Sequence, residues 1–561
     1  MSITQSDYIG AKRPGRRGGE AAAPRAAGAT GRRPAWVWAA PFCVTLGVLL
    51  ARNAFLFSTP EYERADMGAN SILIEQARRL RLLVGNYSRK GFNHPGPAFL
   101  YVQSWGESVF WAMLRLVPTA WNGQLIAVYA LNALFAACVV AVSYGWTRTA
   151  RGALAAGAAV ACLGALHPPA FSSDWMPYVY VPPFLAFVVS LASTAAGRSQ
   201  DAWIAALSGW FLVHGHAAFL VIVPAMALAA AVPGGWRAVR AAAASPSGAR
   251  ASLAAAALRG VLGRPRTWLP AAVISAAFAL PLVLELALHG DGNFARYFAY
   301  GSSSSAGGHS AAQVAGFVLW FWWPAAGAWA VPAGVAAVVA LALAAGLLTW
   351  RLPAGQARTF CRSLLAVDAL AAAMVIVYAV TGVDQIGDHY IGYFSWAAPA
   401  VLLMVILVAA AEGPGFGRAG LAVAAAAALA ACAAFAAAPA TRTSTADVDP
   451  LNPRAGYPTD QALPAAVARM GALAAGRPVV LTFPHDNWTD VTGILVQAGR
   501  TGVDACVRER SWAFLMSVQS VCTPAQARNG YPMSVYPDGQ IPAGEHVVAK
   551  LQRALVTSGI K

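Results

Sequence analysis

Long apolar runs of helical length alternate with short polar ones over most of this chain. A helix of about 20 consecutive apolar residues crosses a bilayer. The runs predict spans at about 36–57, 124–146, 152–170, 178–197, 202–214, 216–232, 268–288, 326–350, 363–383, 391–411 and 419–438. The run 98–117 (AFLYVQSWGESVFWAMLRLV) is also apolar, but it holds Glu107 and Arg115. Charges are costly inside a span, and counting this run would move Arg148 and Arg151 to the outer side. We read it as a helix lying in the outer interface. Eleven spans place the two ends of the chain on opposite sides.

Two stretches break the apolar pattern. Residues 58–97 (STPEYERADMGANSILIEQARRLRLLVGNYSRKGFNHPGP) are polar and charged, with an amphipathic helix expected over 67–84. They open an outer loop that extends over 58–123. Residues 440–561 are polar throughout. A helix-like run at 460–475 precedes a strand-like run, PVVLTF, at 478–483, then a helical run near 488–498 and a short strand near 503–507. That alternation predicts a small α/β domain. No solenoid-type repeat is evident.

Composition agrees with a membrane setting. Apolar residues make up 58% of the 561 and charged residues 11%, with a mean hydropathy of +0.53. A soluble domain carries about a quarter charged residues. The expected fold is an all-α polytopic membrane domain over 35–439, preceded by a disordered basic tail at 1–34 and followed by the soluble domain at 440–561. The net charge of +16 would suit nucleic acid, yet its placement argues otherwise. Seven Lys/Arg lie in the first 34 residues, and six Arg with no acid lie between 236 and 267. Basic clusters beside spans mark cytoplasmic loops, so the partner is the lipid bilayer and not nucleic acid. The tail has no cleavable-signal pattern. Cys506 and Cys522 fall in the outer domain, where a disulfide between them is one reading and two buried thiols the other.

The candidate chemistry gathers on the outer face. The first loop offers Glu61, Glu63, Asp66, Arg78, Arg79, Arg81, Arg89, Lys90, Asn93 and His94. Other outer turns add Asp174, His214, His216, Asn293, Arg296, Asp384, Asp388, His389 and Tyr390. No P-loop, GxGxxG, HExxH or CxxC pattern is present, so nucleotide-driven chemistry is unsupported. Asp384, Asp388 and His389 have metal-ligand chemistry, but no spacing fixes a divalent metal, so a metal stays open and no cofactor is certain. A carboxylate, several cations and a bilayer suit one reaction class. The phosphate of a lipid-linked sugar sits at the interface, where Arg and Lys neutralise it. The carboxylate takes a proton from the attacking hydroxyl.

The order of features, with NYSRKGFNHPGP at 86–97, SSDWMPYVYVPPF at 172–184, GWFLVHGHAAFL at 209–220 and DGNF at 291–294, resembles the GT-C superfamily. These are polyprenyl-phosphate-sugar-dependent glycosyltransferases, including protein mannosyltransferases, aminoarabinose transferases and arabinofuranosyltransferases. The resemblance covers roughly residues 36–440. It implies an inverting transfer with Asp66 as general base, in a bacterial inner membrane, with the N-terminus cytoplasmic and the C-terminal domain periplasmic. Arg89, Lys90, Arg296, His389 and Tyr390 would serve the donor, and Asn93 and His94 would shape its pocket. The sugar it suggests is a pentofuranose such as arabinofuranose, passed to a glycan or protein acceptor. Where relatives read WNPW, this chain has Asp174, whose role is open.

Each assignment has a plainer counterpart. Asp66 also suits the N-terminus of the helix that follows it. Arg78, Arg79 and Arg81 suit a headgroup-facing surface, and 93–97 a rigid turn. His214 and His216 suit satisfied polar groups within a bundle, and WFWW at 320–323 an interfacial belt. A transporter or lipid-linked-sugar flippase would share the span count, but it calls for paired repeats and midplane charges. A scaffold protein leaves the dense first loop unexplained.

Overall fold

The computed structural model describes residues 32–243, 265–290, 292–303, 308–324, 329–415, 417–437 and 459–559. The expectations for the tail at 1–31 and the basic loop at 244–264 lie outside the described residues. Each of the eleven apolar runs falls on a helix: Trp36–Arg52, Ala120–Thr147, Ala150–Leu166, Val181–Ala195, Ala202–Gly215, Phe219–Ala243, Pro265–His289, Ala330–Arg351, Gln356–Thr381, Ala397–Glu412 and Gly417–Ala437. Helices meet the demand of hydrocarbon because they satisfy their own backbone groups. Six helical segments of the described residues are long and apolar enough to cross a membrane, and several shorter apolar helices accompany them. Met176–Ala195 and Ala120–Thr147 are 89% and 83% enclosed by their neighbours, whereas Thr267–His289 is 6% enclosed and turns its apolar side chains outward.

Three boundaries differ from the sequence pattern, each for a local reason. The first helix stops at Arg52 and gives way to a 3-10 turn, Ala54–Phe57. The amphipathic helix runs Ala65–Arg78, and Leu80 beyond it adopts φ 54°, which a continuing helix excludes. The expected interfacial helix runs Ala98–Gly106 and widens into a π turn, Glu107–Met113. Buried there, Glu107 accepts from Arg78 at 3.1 Å and from Gln124 at 2.9 Å.

Residues 459–559 form a five-stranded sheet of order β2-β1-β3-β5-β4, with β1 Val479–Thr482, β2 Ala505–Val507, β3 Tyr531–Pro537, β4 His546–Lys550 and β5 Ala554–Ser558. β1 pairs in parallel with β2 and β3, and the remaining pairs are antiparallel. The helix Trp488–Thr501 crosses from β1 to β2. Cys506 and Cys522 are joined by a disulfide.

This domain grips the helix that carries Asp66. Ala65, which opens that helix at φ 54°, has its carbonyl bonded by the Thr492 hydroxyl at 3.1 Å. Gly68 packs so tightly that a Cβ there would lie 2.8 Å from Thr492 Oγ1. Buried Arg64 reaches Asp490 at 3.1 Å and Thr489 at 2.8 Å. Arg500 forks onto Glu63 at 3.0 and 2.6 Å. Buried charges persist only when paired in this way.

Candidate active site

Five separate chain segments close around one cavity of about 400 Å³: the first loop, residues 175–180, the turn at 216–222, the helix Gly292–Ser303 and the stretch 374–391. Its polar end holds Asp66, Tyr87, Arg89, Lys90, Asp384 and Tyr390. Val221, Ile222, Met374 and Val377 line its other wall, between Phe219–Ala243 and Gln356–Thr381. A polar head and an apolar flank therefore share one enclosure.

Asp66 sits in the first turn of its helix, yet its carboxylate does not cap it. One oxygen accepts from the Tyr87 hydroxyl and the other from the Trp175 indole at 2.6 Å. Burial raises the Asp66 pKa above the ordinary carboxylate value, and the two hydrogen bonds partly offset that rise. The group borders the cavity and has lone pairs left for a third donor. It is a carboxylate held in place and made more basic than usual.

The cations stand close by in ion pairs. Arg89 bonds Asp384 at 2.8 Å, Asp388 at 3.1 Å, the Tyr390 hydroxyl at 3.1 Å, and Gln385. Lys90 meets the other Asp384 oxygen at 2.7 Å, and its ammonium lies 5.6 Å from the centre of the Tyr300 ring. Burial pushes the Asp384 carboxyl up, but Lys90 and Arg89 outweigh this and hold it below its usual value. Arg89, Lys90 and Asp384 line the cavity, with Asp388 behind them on Arg89.

His94 and His216 also line the cavity, with ring centres 4.5 Å apart. Each accepts a backbone N–H at Nδ1, from Ala217 and Ala218 respectively, both at 3.2 Å. The proton is therefore assigned to Nε2 on each ring. Burial, and next the His216 ring, press the His94 pKa well below the imidazole range, and burial lowers His216 to about 4. Both are neutral at ordinary pH.

The remaining candidates lie elsewhere. His214 is buried, with Nδ1 accepting from Ala98 N–H at 3.3 Å and Nε2–H donating to the Phe278 carbonyl at 2.8 Å. Gly96 lies against that ring, where a Cβ would approach to 2.4 Å. His214 thus fixes the NHPGP turn. Asn93 exchanges two hydrogen bonds with Asn293, at 2.7 and 2.8 Å. Arg296 reaches the Gly91 carbonyl, at 3.5 Å. His389 stacks on Trp320 at 4.4 Å and on Phe317 at 5.8 Å. Asp174 is buried beside the site and accepts from Trp121 at 2.8 Å. Burial raises it to about 7. Glu63 is the interdomain partner of Arg500 described above. Among the described residues, no three His, Cys, Asp or Glu side chains form a metal-ligand cluster.

Sequence reasoning missed Tyr87 and Trp175. Both lie in the quoted segments, one position from a residue that was singled out or within two of one. No spacing rule marks a neutral ring as the partner of a carboxylate 21 or 109 residues away.

No protein-family model matches the chain, and no curated protein sequence matches it. Among solved structures, the chain is similar in fold to ArnT from Cupriavidus metallidurans bound to undecaprenyl phosphate. The TM-score is 0.54 at 13% identity, over 94% of this chain and 99% of that one. The apo form of the same protein gives a TM-score of 0.52 at 14% identity, over 93% and 98%. The chain therefore shares the fold of that protein over most of its length.

Proposed function

We propose that this chain is a glycosyltransferase that takes a sugar from a polyprenyl phosphate, with Asp66 as the general base. The observation that carries this reading is the single cavity that joins a buried, basic carboxylate to Arg89 and Lys90 at one end and to an apolar wall between helices at the other. A polyprenyl tail suits the apolar wall and a phosphate suits the cations. The fold likeness to a protein bound to undecaprenyl phosphate supports the same donor class.

In the proposed step, the acceptor hydroxyl oxygen attacks the anomeric carbon from the side opposite the phosphate. The bond between the anomeric carbon and the phosphate oxygen breaks as the new one forms. The hydroxyl proton passes to Asp66, and the leaving phosphate keeps the electron pair. Tyr87 and Trp175 hold the carboxylate in place, so little reorganisation accompanies the transfer. Arg89 and Lys90 stabilise the charge that grows on the phosphate. To reach them it displaces Asp384 and Asp388. The sugar is a pentofuranose such as arabinofuranose, and the acceptor is a glycan or protein. The enzyme resides in a bacterial inner membrane, with its C-terminal domain in the periplasm.

Thermal shift with added polyprenyl phosphate tests the donor site. Stabilisation of wild type and of Asp66→Asn, but not of Lys90→Ala, is expected. Equal stabilisation of all three, or of none, contradicts the reading.

A further inference from the structure

A second cavity, of about 350 Å³, lies against the same helix that carries Asp66. Its walls come from that helix, from Trp488–Thr501, and from residues beside the disulfide. Successive helical residues are about 100° apart. On that wheel Asp66 and Asn70 face one way, while Ser71 and Glu75 point to the far side, with Gln76 on a flank and Arg79 just past the helix end. The first pair lines the donor cavity and the second set lines this one. The Ala65–Arg78 helix is a partition between two chambers, so the second chamber is not where the reaction occurs.

Its lining chemistry restricts the occupant. Three acids (Glu75, Glu107, Asp504) balance three arginines (Arg79, Arg81, Arg500). Most of these charges are already engaged: Glu75 with Arg79 at 2.9 Å, Arg500 with Glu63 at 2.6 Å and Glu107 at 3.6 Å, and Asp504 with Gln526 at 3.0 Å. An ionic ligand would have to break such pairs. An apolar ligand would cover the Gln519 and Ser520 side chains without offering them a partner, whereas Gln76 and Ser71 already bond Ser517 at 3.2 Å and Gln124 at 3.4 Å. A neutral, hydroxyl-rich ligand can donate to the carboxylates and accept from the guanidinium and amide groups while leaving the pairs intact.

We propose that this second cavity binds a neutral oligosaccharide, the part of the glycan acceptor that lies back from its reacting hydroxyl. The acceptor role rests on the transferase reading, whereas the carbohydrate binding does not. Bound there, a glycan rests on the Asp66 helix and on the C-terminal domain together, which gives that domain a part in substrate choice.

Gly499 supplies a clean probe. It lines the cavity within the helix Trp488–Thr501, and a Cβ there meets nothing within 4 Å. Gly499→Leu fills the space and improves helix propensity, and Gly499→Ala is the control. Gln519→Ala with Ser520→Ala is a second variant that removes polar groups near the opening. The experiment is saturation-transfer NMR on full-length protein in nanodiscs. The probes are neutral di- and trisaccharides of arabinofuranose, galactofuranose, mannose, glucose and rhamnose. Binding of at least one by wild type, Gly499→Ala and Asp66→Asn is expected, with at least tenfold weaker binding by Gly499→Leu and by the Gln519/Ser520 variant. No binding by wild type, or equal binding by Gly499→Leu, overturns the proposal. Binding as expected without any release of polyprenyl phosphate from a lipid-linked sugar overturns the transferase reading alone.

Discussion

Trp175 donates its indole N–H to Asp66 across 2.6 Å, although 109 residues separate them. With Tyr87 on the other oxygen, the carboxylate is clamped from two segments of the chain. Burial raises the basicity of this carboxylate, and the two bonds trim that rise.

The pH profile reads those bonds. As the proposed base, Asp66 would have to be unprotonated to act, so activity is expected to rise with pH through its raised pKa and then level off. The Tyr87 hydroxyl favours the charged form, so Tyr87→Phe raises the Asp66 pKa further. Its acid limb is expected to move to higher pH in kcat/KM profiles. An unmoved limb would show that Tyr87 does not bear on the base. His94 and His216 are neutral at ordinary pH and contribute no step between about pH 6 and 8.

The ion pairs at the cavity wall predict opposite effects for opposite charges. Lys90→Ala and Arg89→Ala are expected to raise the KM for the lipid-linked donor. Asp384→Asn releases Lys90 and part of Arg89, and polyprenyl phosphate should then bind more tightly, by roughly fivefold. That factor is the upper range for a partly exposed pair, about 1 kcal/mol. Titration at two salt concentrations checks it, because screening should shrink the gain.

The C-terminal domain should be inseparable from catalysis. Glu63→Ala strips Arg500 of its closest partner in a buried setting. Breaking such a pair costs about 3–5 kcal/mol. We expect a lower thermal midpoint and a loss of turnover, measured on the same preparation. A folded Glu63→Ala enzyme with full activity would show that the grip on the Asp66 helix is dispensable.

Reduction tests the disulfide. Cys506 and Cys522 lie 16 residues apart, and a closed loop of that size contributes about 3 kcal/mol. Cys522→Ser should expose the C-terminal domain to protease in limited digestion, with fragments ending between β1 and β3. An unchanged digestion pattern would contradict a stabilising role.

Much of the fold was legible because lipid leaves few choices. The eleven apolar runs fall on helices, and the α/β alternation after residue 459 is a mixed sheet with its crossover helix. The breaks at Leu80 and Arg115 were not legible, since neither residue type announces a left-handed φ. Within the candidate site, Asp66, Arg89, Lys90, His94, His216 and Tyr390 come together in one cavity. Glu63, Asn93, His214 and His389 are just as polar on paper. Packing directs them into an interdomain pair, an Asn–Asn exchange, a backbone clamp and an aromatic stack. Which way a polar side chain turns depends on partners hundreds of residues distant.

The most direct measurement is release of polyprenyl phosphate by purified protein in nanodiscs given a panel of polyprenyl-phosphate sugars and candidate acceptors. Wild type should release it from one sugar, and Asp66→Asn, folded to the same thermal midpoint, should release it at least a thousandfold more slowly. Equal release by both proteins would remove Asp66 from the mechanism, and no release by well-folded wild type from any donor would contradict the account itself.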